Sequence, residues 1–171
     1  MPRLASDNST RSVADVARHL VREGWGSIVV SEGGELVRDL QLAGVLHVEL
    51  PVTAQGPLAV WRLTSKLVRL IRRYRVDIVH AHATSCAWVA GLAAKRGDAA
   101  FLTTFHGLEP RRERGLGRRG CEAMTGGDRV VVVSEHVAEH VIQHWRLEPE
   151  RVRTVHPGID LAELDPARVR G

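Results

Sequence analysis

The chain has 171 residues, 44% of them hydrophobic and 26% charged, the balance of an ordinary globule with apolar mass for one core. No apolar run approaches the ~20 residues that span a bilayer, and Met1–Thr10 is polar, without the apolar stretch of a signal peptide; a cytoplasmic protein is the expectation. The two cysteines, Cys86 and Cys121, are far apart and lack metal-ligand spacing, which argues against a disulfide framework. The net charge of +4 suits nucleic acid, anionic lipid or phosphorylated substrates and chooses none of them.

Helix-period and strand-like segments alternate along the chain. Val13, Val16, Ala17, Leu20 and Val21 repeat at i, i+3, i+4, i+7 and i+8, so residues 11–23 read as an amphipathic helix that Gly24 stops. Residues 27–31 (SIVVS) form a short β-branched strand, 35–43 a second helix ended by Gly44, and 45–50 a second strand. Pro57 opens a long helix with Val60, Leu63, Leu67, Leu70 and Tyr74 on one face and Arg62, Lys66, Arg69, Arg72 and Arg73 on the other. Then come a strand (77–80), a helix (86–95), a strand (101–105), a Gly/Arg-rich connection and a short helix (118–125). Residues 129–133 are the most strand-like of all, 135–145 form a helix and 152–155 a last strand before Pro157-Gly158. Such alternation means βαβ units and one doubly wound, Rossmann-like parallel sheet with helices on both faces. The runs SIVVS, DIVH and RVVVV lack polar alternation, as strands buried on both sides do.

In an open parallel sheet, ligands bind beyond the carboxyl ends of the strands. The residues that follow the strands here are Glu32-Gly33-Gly34, His80-Ala81-His82, His106-Gly107, Ser134-Glu135 and His156-Pro157-Gly158. Three strands are followed by histidine and three by glycine, a pattern that points to a polar ligand cleft. Ser134 is placed to N-cap the helix starting at Glu135, and the same helix start offers free N–H groups to a phosphate or hydroxyl. His80 and His82 lie on opposite faces if both stay on the strand, which makes them poor joint metal ligands. His136, His140 and His144 share one helix face with no carboxylate or cysteine to complete a metal site. Neither a metal nor another cofactor is expected. A dinucleotide fingerprint needs G-x-G-x-x-G at the first strand-to-helix turn; residues 5–11 read ASDNSTR, without glycine, which disfavours NAD and FAD. The basic run Arg111, Arg112, Arg114 and Arg118 reads as a solvated loop or as a contact with a phosphorylated or membrane-borne acceptor. No recognised reading motif or aromatic platform accompanies it, so nucleic acid is not an expected partner.

Four stretches taken together, DIVHAH (77–82), TTFHG (103–107), DRVVVVSE (128–135) and VHPGID (155–160), resemble the amino-terminal domain of the family 4 glycosyltransferases, enzymes of the GT-B architecture. The resemblance implies a retaining transfer from a nucleotide-sugar donor to an acceptor hydroxyl, with no metal, and an acceptor that is a saccharide or lipid-linked, as in cell-envelope polysaccharide assembly. It implies that residues 1–156 are the acceptor-side domain, that 157–171 begin an interdomain linker, and that a carboxy-terminal donor-binding domain is missing, leaving a fragment inactive alone. It places His106 in the cleft near the transferred sugar as the catalytic residue, with Gly107, Ser134, Glu135, His82 and Arg11 as substrate contacts, and peripheral contact with the inner face of a membrane. Two departures stand out: no donor domain follows, and Met1–Leu4 is too short for the family's first strand, whose glycine loop is replaced by Asp7-Asn8-Ser9-Thr10. A truncated or misplaced start is therefore expected. The alternative reading is a non-catalytic module that binds a sugar or a partner chain.

Overall fold

The computed structural model describes residues 3–4, 7–53, 56–108 and 115–158. The first helix, α1 (Asn8–Arg22), starts earlier than its apolar period implies because Asp7 caps it. The Asp7 carboxylate accepts from the Thr10 amide at 2.9 Å and from the Thr10 hydroxyl at 3.0 Å. A cap of this kind contributes about 1 kcal/mol. The residues expected to form a loop at 7–10 are thus a cap and a first helical turn. Gly24, at φ 84°, ends the helix in the left-handed region where glycine is unstrained.

Six parallel strands follow, β1 (Ile28–Ser31), β2 (Leu46–Glu49), β3 (Ile78–Ala81), β4 (Ala100–Phe105), β5 (Arg129–Val132) and β6 (Val152–Thr154). Between them run α2 (Val37–Leu42), α3 (Pro57–Tyr74), α4 (Thr84–Gly97), α5 (Gly115–Thr125) and α6 (Glu135–Trp145). The α/β alternation read from the sequence is therefore present throughout. Along β4, Phe101, Thr103, Thr104 and Phe105 are all buried, so both faces of the sheet are covered there.

Among the described residues the parallel sheet is in two parts: β1 pairs with β2, and β3-β4-β5-β6 form a four-stranded sheet in that order. The core follows it. Leu4, Ala14, Ala17, Val29, Leu40 and Val45 pack around β1, whereas Phe105, Met124, Val130, Val132, Val141 and Val152 belong to a larger cluster on the four-stranded sheet. Beside β1, Leu4 is fully buried: its amide donates to the Gly33 carbonyl at 2.9 Å and it bridges Gly34 in the parallel sense. A Cβ on Gly34 would lie 2.2 Å from the Leu4 carbonyl oxygen, so this bridge requires glycine. β3, which a central position would bury, keeps Ile78 55% exposed.

Candidate active site

Parallel register sets the site. Ala81 pairs with Thr103 and Phe105 with Val132, so the carboxyl ends of β3, β4 and β5 lie side by side along one rim. His82 is the first residue after β3, His106 the first after β4, and Ser134 follows β5 to open α6. The structure brings two of the expected residues into contact: His82 Nδ1 and His106 Nε2 are 3.2 Å apart, with ring centroids 5.4 Å apart. Two neutral imidazoles meet this way only when one nitrogen donates and the other accepts.

His80 and His82 are not on opposite faces. β3 ends at Ala81, the chain turns at His82, and its ring comes back to 3.9 Å from that of His80. His80 Nε2 in turn lies 2.7 Å from the Thr104 hydroxyl on the neighbouring strand. Thr104, 5% exposed, is a contributor that the sequence reading passed over; its signal was its place one residue before Phe105, at the end of the strand that His106 follows. Burial of the His80 imidazole, then the charge a protonated His106 would present, pushes the His80 pKa down to about 4. Burial holds His82 well below the ordinary histidine value, and the neighbouring His80 and His106 add to that. His80 and His82 thus favour the neutral imidazole at neutral pH.

The Ser134 side chain does cap α6, accepting from the Val137 amide at 3.3 Å. Glu135 is exposed in the first turn of that helix, where a carboxylate is favoured by the helix dipole. A Cβ on Gly107 would meet nothing within 4 Å, which leaves open space beside the His106 loop among the described residues. Arg11 is exposed in the first turn of α1, just after the Asp7 cap. His156 and Gly158 are exposed beyond β6.

On the β1–β2 side the rim holds a second polar group that the sequence reading missed. The buried Ser31 hydroxyl lies 2.8 Å from His47 Nε2, and Glu32 accepts from the Thr53 amide at 2.8 Å and from its hydroxyl. Glu32 therefore fastens the segment after β2. Of the basic run, Arg118 is exposed and its guanidinium donates to Glu122 at 2.7 Å along α5, a surface pair of little energetic weight. Arg111, Arg112 and Arg114 lie outside the described residues. In the histidine stripe of α6, His140 and His144 stack at 5.0 Å. Cys86 and Cys121 are both buried thiols. No described helix is long and apolar enough to cross a membrane.

The fold and rim have clear relatives. A D-inositol 3-phosphate glycosyltransferase of Mycolicibacterium vanbaalenii is 30% identical over 101 residues, which is 53% of this chain and 22% of that protein. A glycosyltransferase structure from Rickettsia africae superposes with TM-score 0.82 at 28% identity, over 97% of this chain and 44% of that one. The Anabaena protein HepE, solved in complex with UDP, superposes with TM-score 0.74 at 16% identity, over 99% of this chain and 48% of its own. The chain thus spans less than half the length of each of these relatives, and its α/β fold matches one half of a GT-B structure. Residues 9–163, most of the chain, match the model of Glycosyltransferase Family 4, and the chain belongs to that family.

Proposed function

We propose that this chain is the acceptor-side domain of a retaining glycosyltransferase that uses a nucleotide-sugar donor, and that His106 is its catalytic residue. The observation that carries the reading is the His82–His106 contact at adjacent strand ends, beside a capped helix start. A protein that handles a sugar needs hydrogen-bond donors and acceptors held in fixed positions for its hydroxyls. A neutral imidazole supplies one of each. His82 fixes the orientation of the His106 ring at the rim, where the ring meets a sugar hydroxyl. Open space beside Gly107 admits the sugar. Ser134 and Glu135, at the start of α6, and Arg11, at the start of α1, supply further polar contacts.

Transfer breaks the bond from the anomeric carbon to the nucleotide diphosphate and forms one to the acceptor oxygen, whose proton leaves with the departing phosphate. Positive charge develops on the sugar ring as this happens. His106 orients hydroxyls next to that charge. The donor is held by a second domain, and the acceptor is a saccharide or a lipid-linked saccharide; a nucleotide-sugar donor accords with the UDP bound in the HepE structure. The test is turnover in a chain joined to a donor-binding domain. His106→Ala is expected to lower kcat by roughly ten- to a thousandfold, with the melting temperature unchanged. Activity retained within about twofold would remove His106 from the chemistry.

A further inference from the structure

β3 and β4 run in parallel with His80 beside Leu102. Alternate residues of a strand share a face, so His80 on β3 and Thr104 on β4 stand on the same side of the sheet, with His82 and His106 just past the strand ends. Three contacts join these four side chains in series. The Thr104 hydroxyl lies 2.7 Å from His80 Nε2. The His80 and His82 rings face each other with centroids 3.9 Å apart and a tilt of 39°. His82 Nδ1 then lies 3.2 Å from His106 Nε2. The series begins inside the sheet, at a buried residue, and ends on the rim.

The strand itself does not require the Thr104 hydroxyl. Valine has nearly the same shape, suits a buried strand, and brings no polar atom that needs a partner. Thr103 next to it shows the ordinary use of a buried hydroxyl: it donates to the Met124 carbonyl at 2.7 Å and ties β4 to α5. Thr104 meets an imidazole instead. A hydrogen bond at one ring nitrogen fixes the rotation of that ring and decides which nitrogen carries the proton. Thr104 thus holds His80, and the His80 ring is the surface on which His82 rests.

We infer that Thr104 and His80 are positioning residues of this site, which act through His82 to set the orientation and the tautomer of His106. The inference rests on the reading of His106 as the catalytic residue. Between two neutral rings, the contact from His82 Nδ1 to His106 Nε2 carries one hydrogen. If His82 supplies it, His106 has its own proton on Nδ1; if His106 supplies it, His106 Nδ1 is bare. The two tautomers are therefore coupled, and whatever fixes His82 selects the hydrogen-bonding polarity of His106. A ring held in one tautomer offers a sugar hydroxyl one polarity rather than a mixture of two.

The experiment is long-range proton–nitrogen NMR on the 171-residue chain at about pH 8, above the ordinary histidine range, with melting temperatures taken for every variant. His106 should show one dominant tautomer in the unaltered chain. Thr104→Val should move the His82 and His106 ring nitrogens toward the average of the two tautomers, and His80→Phe should do the same. Thr104→Ser, which keeps the hydroxyl, should restore the original pattern. Thr103→Val should lower the melting temperature and leave the His106 nitrogens in place. In the chain joined to a donor-binding domain, Thr104→Val should lower kcat roughly two- to tenfold, the weight of one hydrogen bond, with the donor KM unchanged. Unmoved His106 nitrogens in Thr104→Val would overturn the inference, as would a shift that Thr103→Val reproduces or Thr104→Ser fails to reverse. Turnover that survives His106→Ala while Thr104→Val still moves these nitrogens would instead sink the catalytic reading and leave the coupling of the rings standing.

Discussion

A histidine that must stay neutral at the pH of the cell has its pKa lowered by one of two means, loss of water or nearby positive charge. His80 and His82 use both. Linkage then fixes a sign. The folded pKa values of His80 and His82 lie below the unfolded value of 6.5. Above that value both states are neutral and these groups contribute no pH dependence. As pH falls from 6.5 toward 4, the unfolded chain takes up protons that the folded chain refuses, and stability drops. The melting temperature should therefore fall between pH 7 and pH 5, and fall less in a His80→Gln, His82→Gln variant. An identical fall in both would show that other groups set the acid limb. Gly107→Ala separates the cleft from the fold: its methyl meets no described atom, so the melting temperature should hold while turnover in the two-domain protein declines. At this scale strand-end position was legible from the residues, but ring placement was not. His106 and Ser134 were legible because a residue after a strand must lie on the rim. The contact between His80 and His82 was not, because it depends on β3 ending one residue before His82.

Elements were legible where they carry strong punctuation. α6 runs from Glu135 to Trp145 as its Ser134 cap and apolar spacing imply, and Gly24 and Gly44 end α1 and α2 at positive φ. The start of α1 was missed because Asp7, a cap, stands before the apolar period begins. The division of the sheet belongs to this scale too. Alternation predicts strands and crossovers, but continuity needs each strand to have neighbours, and periodicity does not report on pairing between strands. β1 and β3 each keep one edge unpaired by the other described strands, with Leu4 bridging at the β1 side. We propose that this slot takes one more parallel strand. Buried backbone groups left unpaired cost roughly 1–3 kcal/mol each, so filling the slot should raise stability visibly. Adding an apolar, β-branched segment ahead of Met1 should raise the melting temperature by roughly 5 °C or more and protect the β3 amides from hydrogen exchange. An unchanged melting temperature, with β3 amides exchanging as before, would show that the edges are satisfied without it.

On the scale of the whole molecule, the arrangement is a rim without a facing wall. His82, His106, Ser134 and Glu135 line one edge of the sheet, and Gly107 leaves open space rather than an enclosed pocket. Two recesses among the described residues lie elsewhere, one between α4 and α5 and one between α3 and α4. Glycosyl transfer needs the anomeric carbon, the leaving phosphate and the acceptor oxygen held in line, and it needs water kept out, because water is an acceptor too. A single rim orients one substrate and excludes nothing. The solved relatives that superpose on this chain are more than twice its length, and this chain corresponds to 44% and 48% of them. The expected outcome is that the 171-residue chain alone neither transfers nor hydrolyses any of a panel of nucleotide sugars above background. The same chain supplied with a donor-binding domain should do so, and His106→Ala should abolish most of that gain. Reproducible turnover by the chain alone would mean that the rim is sufficient, and the division of labour proposed for it would be wrong.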